Sequence, residues 1–256
     1  AFGLTRSSWY YPRAWLGPQA LPVIAGRNGS LYQLDPGGAG KLTRLAGGLP
    51  AQDPFLPALM TAPGRLLLVG AGRRVSLVDL NTQPPTVRDG APISRHRRYG
   101  NATLLPDGQV LVNGGVDAAA NQLEGAHLEA ELWNPVDGRW RPAASAALPR
   151  LYHGNAILLP DATVLTGGGG LPGPLTNANV EVYYPPYLYR RDGSGLPAER
   201  PVIDTQPVAR SWGEALELPW SGPRAIARLT LLGTGQATHA FNPGQRLVEL
   251  SFSDDG

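Results

Sequence analysis

Pro106-Asp107-Gly108 is a tight-turn signal, and Leu111-Val112-Asn113-Gly114 just after it is an apolar run closed by glycine. Turn residues followed by a short aliphatic and β-branched run are the pattern of a strand leaving a hairpin. The element recurs at Val23-Ile24-Ala25-Gly26, Leu67-Leu68-Val69-Gly70 and Leu165-Thr166-Gly167-Gly168, with spacings of roughly 44, 44 and 54 residues. The other copies follow turns of their own: Gly17-Pro18-Gln19, Pro63-Gly64 and Pro160-Asp161. After each copy a further strand is expected, ending at Asp35-Pro36, Asp79-Leu80, Asn134-Pro135 or Tyr184-Pro185. In the third copy Trp140 follows Asn134-Pro135-Val136-Asp137-Gly138-Arg139, a hairpin turn before another strand.

Turn, apolar strand, glycine pair, strand, Asp-Pro turn, strand: this unit of about 45–50 residues reads as a kelch-like propeller blade. The glycine pair lets backbones approach closely near the propeller axis. Four copies fill residues 1 to about 190. Beyond Arg190-Arg191-Asp192-Gly193-Ser194-Gly195 the texture changes. Pro201-Val202-Ile203, Ala215-Leu216-Glu217-Leu218, Ala227–Leu232 and Leu247–Phe252 read as the strands of a small sandwich. The fold class expected is therefore all-β: a partial kelch-type β-propeller over residues 1–192, then a partial Ig-like β-sandwich over 193–256. Four blades are the lower limit of a propeller and about 60 residues fall short of a sandwich, so the chain is expected to be cut at both ends.

The totals agree. The 33 glycines and 26 prolines of the 256 residues are spread as punctuation rather than gathered in a tract. The 22 basic and 20 acidic residues leave a net charge of +2, and Lys41 is the only lysine, so no basic stripe marks a nucleic-acid binder. Arg95-His96-Arg97-Arg98 is read as a solvated turn between strands. The absence of cysteine excludes disulfides, thiolate nucleophiles and cysteine-ligated zinc. No apolar run is long enough to span a membrane.

With only four histidines, their placement matters. His153 follows Tyr152 in Pro149-Arg150-Leu151-Tyr152-His153, just ahead of the strand-like Ala156–Asp161; His239 stands alone in Ala237-Thr238-His239-Ala240-Phe241-Asn242. One phenol and two imidazoles are a donor set of a kind that can hold copper. Adjacent Tyr152 and His153 can face one ion only on a bent segment, because neighbours on a straight strand point to opposite faces. His96 and His127 are read as hydrogen-bonded structural residues. Tyr183, Tyr184, Tyr187 and Tyr189 lie around Pro185 and Pro186 and are read as packing between the two modules. Gly167 to Gly170 has no following Lys-Ser/Thr and no helix, so it is not a phosphate loop. Asn28-Gly29-Ser30 and Asn101-Ala102-Thr103 are read as accidental matches to a glycosylation pattern.

Tyr11–Trp15, Asn101–Gly108, Arg150–Asp161, Gly167–Asn177, Glu181–Leu188 and Thr238–Arg246 together resemble the galactose oxidase and glyoxal oxidase family of copper-radical oxidases. The likeness extends to bacterial members with an early-set immunoglobulin-like C-terminal domain, which would make the protein secreted or cell-surface. The resemblance implies that Tyr152 is the axial tyrosine and catalytic base, and that His153 and His239 are equatorial copper ligands. It implies oxidation of a primary alcohol, aldehyde or carbohydrate by O₂ to give H₂O₂, by a protein expected to be a monomer. The family's radical resides on a tyrosine cross-linked to cysteine. Tyr10 and Tyr11 are set aside for that role, because Tyr11–Trp15 matches a later blade, so the Tyr-Cys pair is expected upstream of Ala1 and this chain alone is expected to be inactive. Gly100 replaces a histidine of relatives. Two alternatives stay open: a non-enzymatic carbohydrate- or protein-binding module with a relic metal site, and a mononuclear copper site without a radical.

Overall fold

The computed structural model describes residues 10–46, 49, 53–204, 209–211 and 213–253. Among them the regular structure is twenty strands with short 3-10 turns and no α-helix, which is the all-β class expected. No helix among the described residues is long and apolar enough to cross a membrane.

Three successive four-stranded antiparallel meanders come first. The first is β1 (Arg13–Leu16), β2 (Pro22–Ala25), β3 (Leu31–Asp35) and β4 (Lys41–Ala46). The second is β5 (Ala58–Ala62), β6 (Arg65–Val69), β7 (Val75–Asp79) and β8 (Thr86–Asp89). The third is β9 (Asn101–Leu104), β10 (Val110–Asn113), β11 (Glu129–Trp133) and β12 (Trp140–Ser145). The fourth sheet has β13 (Gly154–Leu158), β14 (Val164–Gly168) and β15 (Val180–Tyr183) only. The repeated apolar element is thus the second strand of every sheet. After β15 the chain enters a 3-10 turn at Pro186–Leu188; Pro185 and Pro186 lack the N–H groups a fourth ladder strand needs.

The sheets are held face to face by strands buried on both sides. Successive side chains of a strand point to opposite faces. On β6, Leu66 and Leu68 join a core with Trp15, Val23, Leu31 and Met60, while Leu67 and Val69 join another with Ile93, Leu104, Val110 and Val112. On β10, Val110 and Val112 face the second sheet, whereas Leu111 packs with Leu105, Ala156 and Val164 against the fourth. Each such leucine is essentially fully buried and contributes about 1.5–3 kcal/mol of burial.

The C-terminal part has β16 (Val202–Ile203), β17 (Trp220–Ser221), β18 (Leu229–Leu232), β19 (Phe241–Asn242) and β20 (Leu247–Leu250). Ala215–Leu218 is not a strand: Ala215, Leu216 and Glu217 are exposed, no described strand lies beside them, and Pro219 lacks the N–H a ladder needs. An unexpected element carries more weight. β19 runs parallel to β5, with Phe241 opposite Ala58 and Asn242 opposite Leu59, so a C-terminal segment joins the edge of the second sheet. Gln245, essentially buried, accepts from the Leu104 N–H (2.8 Å) and donates to the Leu104 carbonyl (3.1 Å), tying the same segment to β9.

The basic cluster also departs from expectation. Arg97 is fully buried on Glu131 at 2.8 Å, and Arg98 is half-buried, paired with Asp53 at 3.3 Å; only Arg95 matches the solvated-turn reading. Asn101 is buried and donates to the Gly154 carbonyl, so its match to a glycosylation pattern is accidental.

Candidate metal centre

Five aromatic side chains and two imidazoles converge where the chain enters the first strand of each sheet. Tyr11 precedes β1, Phe55 precedes β5, Tyr99 precedes β9, and Tyr152-His153 precedes β13. His239 precedes β19, which is seated on β5. Tyr10 completes the group, with its ring 4.7 Å from that of Tyr11.

The backbone at these entries is bent as the adjacency of Tyr152 and His153 requires. Tyr11, Tyr99, His153, His239 and Ala240 all have φ between 48 and 66°, a left-handed conformation uncommon for non-glycine residues and often found at functional sites. Hydrogen bonds hold the bends. Tyr152 N–H donates to Asn121 Oδ1 and Gly170 N–H to the Tyr152 carbonyl at 2.7 Å. Asn121 is in turn fixed by donating to the Gly170 and Pro172 carbonyls.

The sequence candidates Tyr152, His153 and His239 are brought together. The rings of Tyr152 and His153 stack with centroids 3.8 Å apart and planes at 27°. The imidazoles of His153 and His239 are 5.2 Å apart, centroid to centroid, and at 85°; Tyr152 is 5.8 Å from His239. A metal–nitrogen bond of about 2 Å puts a ligating imidazole centroid roughly 3 Å from the ion, so two rings sharing one ion stand about 4.5–6 Å apart. The observed pair falls in that interval.

Tyr11, set aside in the sequence reading, belongs to the same cluster: it stacks on His239 with centroids 4.9 Å apart and planes at 30°. The signal that locates it is the repeat register. Tyr11, Tyr99 and Tyr152 each stand two residues ahead of the first strand of their sheet. Phe55 and Tyr99 are site residues that the sequence reading lacks; they form a wall against Tyr152 at 5.5 and 5.2 Å. At Gly100 a Cβ would meet the Arg97 carbonyl at 3.0 Å and the Asn113 carbonyl at 3.2 Å, so this entry offers no imidazole and little room for one. His96 and His127 lie apart from the cluster; His127 Nε2 contacts the His96 carbonyl and Asp117.

At His239 the electrostatics suit a cation site. Burial, aided by His153, lowers the His239 pKa, which keeps the imidazole neutral and available as a ligand. Burial, with Tyr11, Tyr10 and Tyr99 nearby, raises the Tyr152 phenol. His239 Nδ1 is 2.7 Å from Thr238 Oγ1; with Nδ1–H donating there, Nε2 keeps its lone pair. Among the described residues no group of three or more His, Asp or Glu side chains could hold a metal ion. Two imidazoles completed by phenol oxygens are what remains, a mixed N,O set that suits Cu(II).

No protein-family model matches the chain. Galactose oxidase of Gibberella zeae is 29% identical over 191 residues, 71% of this chain and 27% of that protein. Aldehyde oxidase GLOX of Vitis pseudoreticulata is 30% identical over 194 residues, 67% of this chain and 35% of that protein. Among solved structures, a fungal alcohol oxidase of the AA5 family, in complex with copper, superimposes with a TM-score of 0.82 at 25% identity, covering 96% of this chain and 55% of that one. The chain thus spans about a quarter to a third of the length of these curated relatives.

Proposed function

The chain belongs to the galactose oxidase and glyoxal oxidase-like family, and on that footing we propose that it carries the copper-binding residues of an extracellular alcohol or aldehyde oxidase. His153 and His239 supply imidazole nitrogen, and Tyr152 and Tyr11 supply phenol oxygen. We read residues 1–192 as kelch-type blades and 193–256 as part of an early-set Ig-like domain. The single observation that carries the reading is the pair of perpendicular imidazoles, each stacked on a tyrosine.

The reaction is the two-electron oxidation of RCH₂OH by O₂ to RCHO and H₂O₂. Copper(II), when bound, would supply one one-electron acceptor and polarise the substrate hydroxyl, and the second acceptor, which takes the C–H hydrogen atom, would be the tyrosyl radical of the family. Tyr152 would take the hydroxyl proton at its phenolic oxygen as phenolate, the form a bound cation would favour against the burial that raises its pKa. Phe55 and Tyr99 shield one side of Tyr152 and offer an apolar wall to the carbon skeleton. Tyr11, stacked on His239, is a second phenol at the site within this chain. The chain holds no cysteine, so a thioether on Tyr11 requires a sulfur from outside these residues.

Isothermal titration with Cu(II) tests the site: wild-type binding lost in His153→Ala and in His239→Ala is the expected result. Binding that survives both substitutions would sink it. Peroxide release on a panel of primary alcohols and aldehydes then tests the activity. A mononuclear copper site without a radical is distinguished by its ordinary, unquenched Cu(II) resonance in the loaded protein.

A further inference from the structure

Two buried arginines in successive repeats share two bonds, one to a glutamate and one to a repeat glycine, and differ at Nε, which pairs with Glu131 in Arg97 and has no partner among the described residues in Arg150. In the third sheet, Arg97 donates from Nη2 to Glu131 Oε1 at 2.8 Å and from Nη1 to the Gly114 carbonyl at 3.2 Å. In the fourth, Arg150 donates from Nη2 to Glu181 Oε2 at 2.6 Å and from Nη1 to the Gly168 carbonyl at 3.2 Å. Gly114 and Gly168 are the same position of the repeat. The second carboxylate oxygen is used alike: Glu131 Oε2 accepts the Ser94 N–H, and Glu181 Oε1 accepts the Ala147 N–H, each three residues before its arginine. Both guanidinium side chains are essentially inaccessible.

The two sets are linked. Gly114 receives the Arg97 guanidinium, and its neighbour Gly115 donates its N–H to the Arg150 carbonyl at 2.7 Å. A Cβ on Gly114 would stand 2.7 Å from that same carbonyl. A continuous path therefore runs from Glu131 through Arg97, Gly114-Gly115 and Arg150 to Glu181.

The turns that leave the two arginines differ by one residue. The turn after Arg97 closes with Gly100 N–H on the Arg97 carbonyl, at 3.0 Å. After Arg150 it closes one step later, with Gly154 N–H on the Leu151 carbonyl at 2.8 Å. The left-handed residue just before the closing glycine is Tyr99 in one loop and His153 in the other. Closure one step later puts Tyr152 and His153 between the bonded residues of the fourth-sheet turn, where the third-sheet turn encloses Arg98 and Tyr99.

We propose that Arg97–Glu131 and Arg150–Glu181 are a duplicated, linked clamp that sets the bends carrying Tyr99 and the Tyr152–His153 pair, which makes both arginines positioning residues for the metal centre. The inference rests on the copper reading for its consequence but not for its geometry, and the test separates the two. In the metal-free protein, the Tyr152 ring stacked at 3.8 Å shifts the His153 ring protons upfield in the NMR spectrum. Arg150→Gln is expected to abolish that shift and Arg97→Gln to weaken it, the two being non-additive because the path is shared. Leu66→Ala, a core truncation between the first two sheets, is the control: it lowers stability and leaves the shift in place. Should Arg150→Gln fail to fold, Glu181→Gln keeps the shape and loses the charge pairing, and is expected to reduce the shift. An unchanged His153 shift in the folded arginine or Glu181 variants overturns the clamp. Cu(II) titration of the same variants gives the consequence: affinity at least tenfold weaker in Arg150→Gln and unchanged in Leu66→Ala. A wild-type protein that shows the ring shift but takes up no copper would refute the copper reading and leave the clamp decided by the NMR result alone.

Discussion

The ring of Tyr11 lies against that of His239, centroids 4.9 Å apart and planes at 30°, matching the stack of Tyr152 on His153 in the fourth sheet. Each imidazole thus has a phenol beside it, and the two imidazoles are nearly perpendicular. Tyr11→Phe preserves the stack and removes only the oxygen. In a copper titration it is expected to weaken a phenolate-to-copper absorption band and to lower affinity by at least about tenfold, the scale on which metal sites respond to lost polar partners. An unchanged band and affinity would assign Tyr11 to packing.

Thr238 orients His239 through the 2.7 Å contact between its hydroxyl and Nδ1. Partners of a ligand's second nitrogen fix tautomer and ring angle, and their removal costs about 10–100-fold in metal affinity. Thr238→Val is nearly isosteric, so copper affinity is expected to fall within that range with little change in thermal stability. Thr238→Ser keeps the hydroxyl and should restore most of the affinity; equal affinity in all three proteins would refute the role.

Much of this was legible in the sequence because its period was. The element ending at Gly26, Gly70, Gly114 and Gly168 marks the second strand of every sheet, since a strand buried on both faces is an apolar run that composition exposes. Tyr152, His153 and His239 stood out through the scarcity of histidine. Tyr11 escapes a reading that trusts blade order over position in the repeat. Arg97 looks solvated because its charge is visible in sequence, whereas its partner Glu131 lies 34 residues away on another strand. The insertion of β19 beside β5 rests on pairing between segments far apart in the chain, which no local pattern carries. Ala215–Leu218 shows the reverse error, alternation with no sheet to bury it.

Gln245 anchors the segment that presents His239. Its amide pairs with both the N–H and the carbonyl of Leu104, and its oxygen also accepts from Asn242. Asn242 in turn accepts the Gln236 N–H at 2.9 Å. Gln245→Leu fills the space and leaves buried backbone groups of Leu104 unpaired, at about 1–3 kcal/mol for each group. Urea denaturation is expected to register a loss of about 2–4 kcal/mol. A loss below half a kilocalorie, about the level of an ordinary surface change, would mean that water or repacking satisfies Leu104.

Glu181 makes the stability of the fourth sheet depend on pH. Burial alone would raise its pKa, but the Ala147 N–H and the Arg150 guanidinium outweigh that and hold it below the ordinary 4.5. The folded state therefore binds this proton less readily than the unfolded chain does. Stability from Glu181 is complete above the unfolded value and is lost as pH falls from about 4.5 through the folded value. Asp137, Asp161 and Asp192 are lowered as well, so an acid-side decline in the wild type does not isolate this carboxyl. The comparison with Glu181→Gln does: the variant starts less stable at neutral pH and declines less steeply as pH falls below about 4.5. The two stability curves, measured by urea denaturation across that window, should converge toward the acid end. Parallel curves would show that Glu181 is not held in its charged form by the fold, and the ion pair with Arg150 would then count for little.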